Sequence, residues 1–216
     1  MKDLIGLFVF VFVLTMASES FAQSFGLKAG LNLANMLFKD DDETYSGDLK
    51  MSPGFHLGAT AEFPATEMFS FETGLLLSTK GFNASGENFE ERLTLLYLDI
   101  PLTGKASYDM GGIKLYGVFG PYVGMGLFGI FKYEDTYDGE TEKDYETIDW
   151  GSDEEKSDYK RLDFGITIGA GVEINAIQLG LSYNLGLANT SPDTEDGYKA
   201  NNRVLALSVG YKFGGK

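Results

Sequence analysis

Cysteine is absent from the 216 residues. Its absence excludes a disulfide framework, a thiolate metal centre, a cysteine nucleophile and a lipid anchor attached through cysteine. Histidine occurs once, at His56, so any imidazole base must be that residue. Long apolar runs are lacking too. The run from Leu4 to Met16 covers thirteen residues, too short for a membrane helix, which needs about 20. Basic residues are the minority, with 17 Lys and Arg against 32 Asp and Glu and a formal net charge of −15, which argues against a nucleic-acid partner.

The short apolar run has an explanation of its own. Lys2 precedes it, and Ser20-Phe21-Ala22 sets small residues at the −3 and −1 positions of a cleavage site before Gln23. Residues 1–22 read as a secretory signal peptide and residues 23–216 as the mature domain.

What the mature chain does contain is alternation. From Arg161 to Ile174, Leu162, Phe164, Ile166, Ile168, Ala170, Val172 and Ile174 occupy one face and Asp163, Gly165, Thr167, Gly169, Gly171 and Glu173 the other. Period two over such a length is a strand with one apolar face. After Asn175-Ala176 the pattern resumes from Ile177 to Leu187, so the two rows form one hairpin. Comparable segments begin near Phe25, Phe55, Phe69, Leu96, Ile113 and Leu205, which gives eight strands. The apolar faces are bulky and nearly free of charge. The opposite faces are built of Gly, Ser, Thr and Asn with isolated charges, which is too cramped for a generous solvated surface. With 28 glycines and 14% aromatics, the pattern predicts an all-β, eight-stranded antiparallel up-and-down transmembrane barrel, lipid outside and a narrow polar lumen within.

The connections sort by length. Short ones follow strands two, four and six. The others are long: Leu37 to Ser52, Phe82 to Glu91, Lys132 to Lys160 and Ala188 to Asn202. Short periplasmic turns, long outer loops and an even strand number place both termini in the periplasm of a Gram-negative bacterium. Pro101 and Pro121 fall inside strands, where a missing N–H predicts a bulge or distortion.

The segments GLKAGLN (26–32), PGFHLGATAEF (53–63), ETGLLLSTKGF (72–82), YLDIPLTGKA (97–106), GPYVGMGL (120–127), FGITIGAGVEI (164–174) and VGYKF (209–213) resemble the PorT-like outer-membrane β-barrel family. The resemblance implies an outer-membrane barrel with no catalytic motif and no cofactor. Its founding member is associated with protein secretion and gliding machinery.

Three groups of residues are candidates for function. Lys28, Lys80, Lys105, Lys114, Arg161 and Lys212 share the expected lumen with Glu62, Glu72, Asp99, Asp163 and Glu173. Charges in so narrow a space should pair, since isolated buried charges are costly. His56 also faces the lumen, and a rim hydrolase or acyltransferase would need Ser52 or Ser78 beside it. The expectation is a plain lumenal histidine and no enzyme. The third long loop carries Glu134, Asp135, Asp138, Asp153, Glu154 and Glu155 with the sole tryptophan, Trp150. It reads as a solvated acidic loop, with a surface recognition loop that binds divalent cations as the alternative. The sequence as a whole predicts a monomeric, non-enzymatic scaffold among outer-membrane lipid and lipopolysaccharide. Its outer loops would meet an envelope protein partner or a ligand, and a narrow channel or a rim enzyme are the rivals.

Overall fold

The computed structural model describes residues 23–45, 49–137 and 140–214; the expected signal peptide lies outside them. Among the described residues nine strands follow one another: β1 (Ser24–Lys39), β2 (Ser52–Pro64), β3 (Phe69–Ser85), β4 (Phe89–Asp109), β5 (Ile113–Tyr137), β6 (Glu140–Thr147), β7 (Leu162–Ile174), β8 (Ile177–Gly186) and β9 (Lys199–Phe213). Eight of them close a ring in chain order, because β4 pairs with β5, β5 with β7, and β9 returns to β1 from Phe25↔Phe213 to Lys39↔Lys199. Every pairing is antiparallel. The ninth strand, β6, stands outside the ring and folds back on the end of β5, from Ile130↔Thr147 to Tyr137↔Glu140.

Burial in the lower part of the wall is the reverse of that in a water-soluble protein. Leu31 is 64% exposed, Phe119 62% and Ile168 57%, whereas Lys80 is 2% exposed, Lys105 1% and Asp163 0%. A continuous belt of exposed Leu, Ile and Phe requires a hydrocarbon solvent. Toward the long-loop end the polarity inverts. Met36, Phe82, Leu93, Leu95, Tyr97 and Ala200 form a buried apolar plug inside the wall, joined by Phe131, Ile148 and Trp150. Thr94 and Glu90 are exposed on the opposite face of β4. The 25 residues of β5 far exceed the roughly 9–11 that cross a bilayer, so its upper half stands in water as part of a β3–β4–β5–β6 sheet.

One expectation is met in part and another needs correction. The ladder is interrupted at the prolines, between Pro101↔Tyr122 and Gly104↔Phe119, but the register does not shift there. The bulge sits higher, where Leu96↔Phe128 gives way to Tyr97↔Gly126 and leaves Leu127 as the extra residue. Leu127 and Phe128 are both exposed as a result, and β5 turns Gly129 and Phe131 inward above them. The segments expected as loops are also partly strand. Phe82 to Ser85 pairs with Glu90 to Leu93, and most of Lys132 to Thr147 is the β5–β6 hairpin.

The lipid-facing belt makes a direct prediction. Ile168→Arg, opposite Phe119 and Tyr183 in the ladders, is expected to destabilise the barrel by about 2–4 kcal/mol, as a midplane cation does. Equilibrium unfolding in phospholipid vesicles measures it, and a neutral result would mean that this face does not meet hydrocarbon.

Candidate functional site

The inward faces of the eight strands form the site. Period two supplies one inward side chain for every two residues. The narrow radius brings residues from opposite walls within bonding distance. Near the long-loop end, Lys80 Nζ on β3 donates to Asp99 Oδ1 of β4 at 2.9 Å and to Asp163 Oδ2 of β7 at 2.9 Å. The same Asp163 oxygen accepts from the Tyr122 hydroxyl at 3.2 Å and from Asn202 Nδ2 at 3.1 Å. The ammonium also lies 4.4 Å from the Tyr97 ring centre and 4.7 Å from that of Tyr122. One cation here faces two carboxylates, so the layer keeps a formal negative charge that aromatic faces and amide donors help to hold.

A second layer sits near the short-turn end. Lys105 Nζ bonds Glu62 Oε2 at 2.9 Å and Glu173 Oε2 at 3.4 Å, and Lys212 reaches the same two oxygens at 3.1 and 3.2 Å. Gln178 donates to Glu173 at 2.9 Å and Ser70 to Glu62 at 2.9 Å. Two cations and two anions balance. Lys28 and Glu72 form a separate pair at 2.5 Å between the layers.

Nine of the eleven charged residues expected in the lumen are thus brought into ion pairs, and two are not. Lys114 is exposed at the short-turn mouth, opposite Asp109 and Glu173 in the ladders. Arg161 precedes β7 at the opposite end, where its Nη1 donates to the Gly126 carbonyl at 3.0 Å. Both have the inward parity of their strands. Both lie too close to a rim for parity to mean burial.

Between the layers is a cavity of about 80 Å³, lined by Lys28, His56, Tyr116, Thr167, Ser182 and Ser208 among others, with Leu76, Val118 and Leu181 between them. It has room for on the order of five waters. His56 Nδ1 lies 2.8 Å from Asn32 Oδ1, and Nε2 lies 3.0 Å from Ser208 Oγ. The Asn32 amide nitrogen donates to the carbonyls of Phe55 and Thr79 and to Ser78 Oγ, which turns its oxygen toward the ring. That orientation assigns the hydrogen to Nδ1 and leaves Nε2 to accept from Ser208. The hydroxyl beside the base is therefore Ser208, and neither Ser52 nor Ser78 among the described residues bonds His56. Ring closure makes this contact. Gly30 of β1 is paired with His56 on one side and Ser208 on the other, and the imidazole crosses the space where a side chain would be. A Cβ at Gly30 would stand 2.5 Å from His56 Cε1 and 2.0 Å from the Leu207 carbonyl oxygen. No sequence signal joins residues 56 and 208; only the pairing of first and last strands does.

The acidic segment is less of a loop than expected. Glu134 and Asp135 lie on β5 opposite Lys143 and Glu142, and Glu134 pairs with Lys132 and Lys143. Asp138 lies outside the described residues. Asp153, Glu154 and Glu155 are exposed in a turn where Asp153 pairs with Lys156 at 3.1 Å. Trp150 is not a tip residue. Its ring packs edge-on against Tyr97, with centroids 5.6 Å apart, over the bare backbone of Gly126. Among the described residues no three His, Asp or Glu gather as metal ligands. In the first loop, Tyr45 donates to Asp40, which holds that carboxyl below its usual range and pushes the phenol up to about 12.

The Lys80 layer yields a prediction. Lys80→Met leaves Asp99 and Asp163 buried together without a cation and is expected to cost about 3–5 kcal/mol in vesicle unfolding. Adding Asp99→Asn and Asp163→Asn should recover part of that loss, because the penalty lies in the unpaired charges. If Lys80→Met proved neutral, the layer would not be a coupled ionic group.

The fold and the lumen can be compared with known proteins. The family model described as outer membrane protein beta-barrel domain matches residues 21–191. No curated protein matches by sequence. Among solved structures, Ail, the attachment invasion locus protein of Yersinia pestis, is 16% identical with a TM-score of 0.36 and 88% of this chain and 98% of that one covered. OprG from Pseudomonas aeruginosa is 13% identical with a TM-score of 0.41, covering 89% and 97%. Outer Membrane Protein W of E. coli is 14% identical with a TM-score of 0.41, covering 90% and 100%. Since the family match spans well over half of the chain, the protein belongs to the outer membrane protein beta-barrel domain family and is a protein of the Gram-negative outer membrane.

Proposed function

We propose that the protein is a closed, non-conducting and non-enzymatic scaffold of PorT type. It would hold a packed acidic sheet outside the membrane for contact with a partner in secretion or envelope assembly. In this reading residues 1–22 are removed on export, both termini are periplasmic, and the barrel is a monomer among lipid and lipopolysaccharide. The observation that carries the proposal is the filled lumen. Two ion-pair layers lie across it, and the apolar plug from Met36 to Tyr97 covers the outer end. An ion crossing this path would have to separate buried pairs and then enter an apolar layer, and both are costly.

The upper sheet supports the scaffold role. The rows that pair Glu90 with Glu134 and Arg92 with Lys132 place like charges side by side, which costs stability and is offset only in part by the pairing of Glu134 with Lys132 and Lys143. A partner of complementary charge pattern would relieve it. In planar bilayers the purified protein is expected to show no single-channel conductance, and steady unitary currents abolished by Lys105→Met would replace the scaffold with a channel. Crosslinking in intact cells would then identify the partner.

One observation favours a second reading. The Asn32–His56–Ser208 chain has the form of a base that activates a hydroxyl. Its small cavity lies between the ionic layers, away from both rims. In the scaffold reading a fluorophosphonate leaves Ser208 of the folded barrel unmodified. Labelling of Ser208 that disappears in His56→Ala would establish a serine nucleophile.

A further inference from the structure

At the rim, where β7 begins and β8 ends, the ends of the segment from Trp150 to Arg161 and the wall line a groove of about 550 Å³. Its volume is in the range of small-molecule sites, ~300–1,000 Å³. The lower wall is apolar: Leu162, Phe164 and Leu187 are each about half exposed on the lipid-facing side. Lys160 and Arg161 lie at the top, two and one residues before Leu162 in sequence. At roughly 3.3 Å per residue, Lys160 stands about 7 Å above Leu162 with the outward parity of Leu162 and Phe164, and Arg161 lies beside it at the rim.

The backbone that carries the two cations is fixed in place. The Lys160 amide donates to the Thr190 carbonyl at 2.7 Å, and the Arg161 carbonyl accepts from the Gly126 amide at 2.7 Å. Arg161 spends one nitrogen on the Gly126 carbonyl and lies 5.8 Å from the Trp150 ring. Among the described residues neither cation has a carboxylate within ion-pair distance. The nearby acids Asp149, Asp153, Glu154, Glu155 and Asp158 are exposed.

We propose that this groove is a binding site for the phosphorylated glycolipid of the outer leaflet, lipid A. A phosphate would lie against Lys160 and the free edge of the Arg161 guanidinium, and an acyl chain along Leu162, Phe164 and Leu187. Arginine suits the phosphate through its fork of donors and lysine through its point charge. The inference rests on the orientation proposed above, in which the long-loop end faces outward.

Trp150 is the only tryptophan and lines the groove, so its emission reports occupancy. The full-length barrel in detergent micelles is titrated with bisphosphorylated lipid A and with the same lipid stripped of phosphate. The phosphorylated lipid is expected to give a saturable change in emission. Lys160→Gln with Arg161→Gln should weaken the midpoint about 30-fold, taking two cations at the usual strength near an anionic lipid surface. Lys160→Gln alone, which leaves the Arg161 bond to Gly126 intact, should weaken it about fivefold with the barrel still folded by circular dichroism. Equal affinity for the stripped lipid, or no change in either variant, overturns the site. The titration does not depend on orientation. Orientation is tested separately by labelling a Ser152→Cys variant on intact cells with an impermeant maleimide, and failure there alone would set the groove in the inner leaflet and overturn lipid A as its ligand in the cell, while the titrated affinity stood.

Discussion

A strand in hydrocarbon has no water to bond with, so each backbone N–H and C=O of the wall must find its partner in the neighbouring strand. The pairing of β1 with β9 meets that demand, because it leaves the ring without an edge. Closure at eight strands then fixes the radius, and the radius leaves space within for little beyond the wall's own side chains. The ion pairs, the contact across Gly30 and the small central cavity all follow. Each is a way of filling a narrow tube whose outer surface has been given over to lipid.

The charges inside contribute less to stability than their number implies. A buried ion pair seldom outperforms an apolar pair of equal volume. Its significance here is that apolar side chains on both faces would leave no signal for which face turns outward. Lys80, Lys105 and their carboxylates set the register and facing of four different strands, since a slip of one residue would send them into the bilayer. The upper sheet lies in water and has no such constraint, so it is built like an ordinary soluble structure, with Leu93, Leu95 and Tyr97 buried and acids outside.

Alternation made most of the fold legible in the sequence. Each strand of the ring shows it, and the strands from Leu162 to Gly186 do so with only Asn175-Ala176 between them. Parity also identified which charges face inward, but not which ones meet. Lys80 and Asp163 are 83 residues apart and His56 and Ser208 are 152 apart, distances that only the order of strands around the ring can close. Arg161 and Lys114 misled because parity carries no information about height. The β5–β6 hairpin was hidden because its acidic residues resemble a solvated loop, and paired strands in water need no apolar row. Trp150 was read as a surface residue because nothing in its neighbourhood indicates that Tyr97, 53 positions earlier, receives it.

The inversion of polarity along the wall works as a depth gauge. On β1, Leu31 and Leu33 point outward among apolar neighbours, while Met36, three residues on from Leu33, points inward to an apolar plug. Somewhere between them the surrounding solvent changes from lipid to water, so the membrane surface is recorded in the chain to within about one turn of the pleat. The same substitution therefore has opposite consequences on the two sides of that line. An outward leucine that anchors the barrel below it becomes an adhesive patch above it, and an inward lysine that pairs quietly below it would burst the plug above.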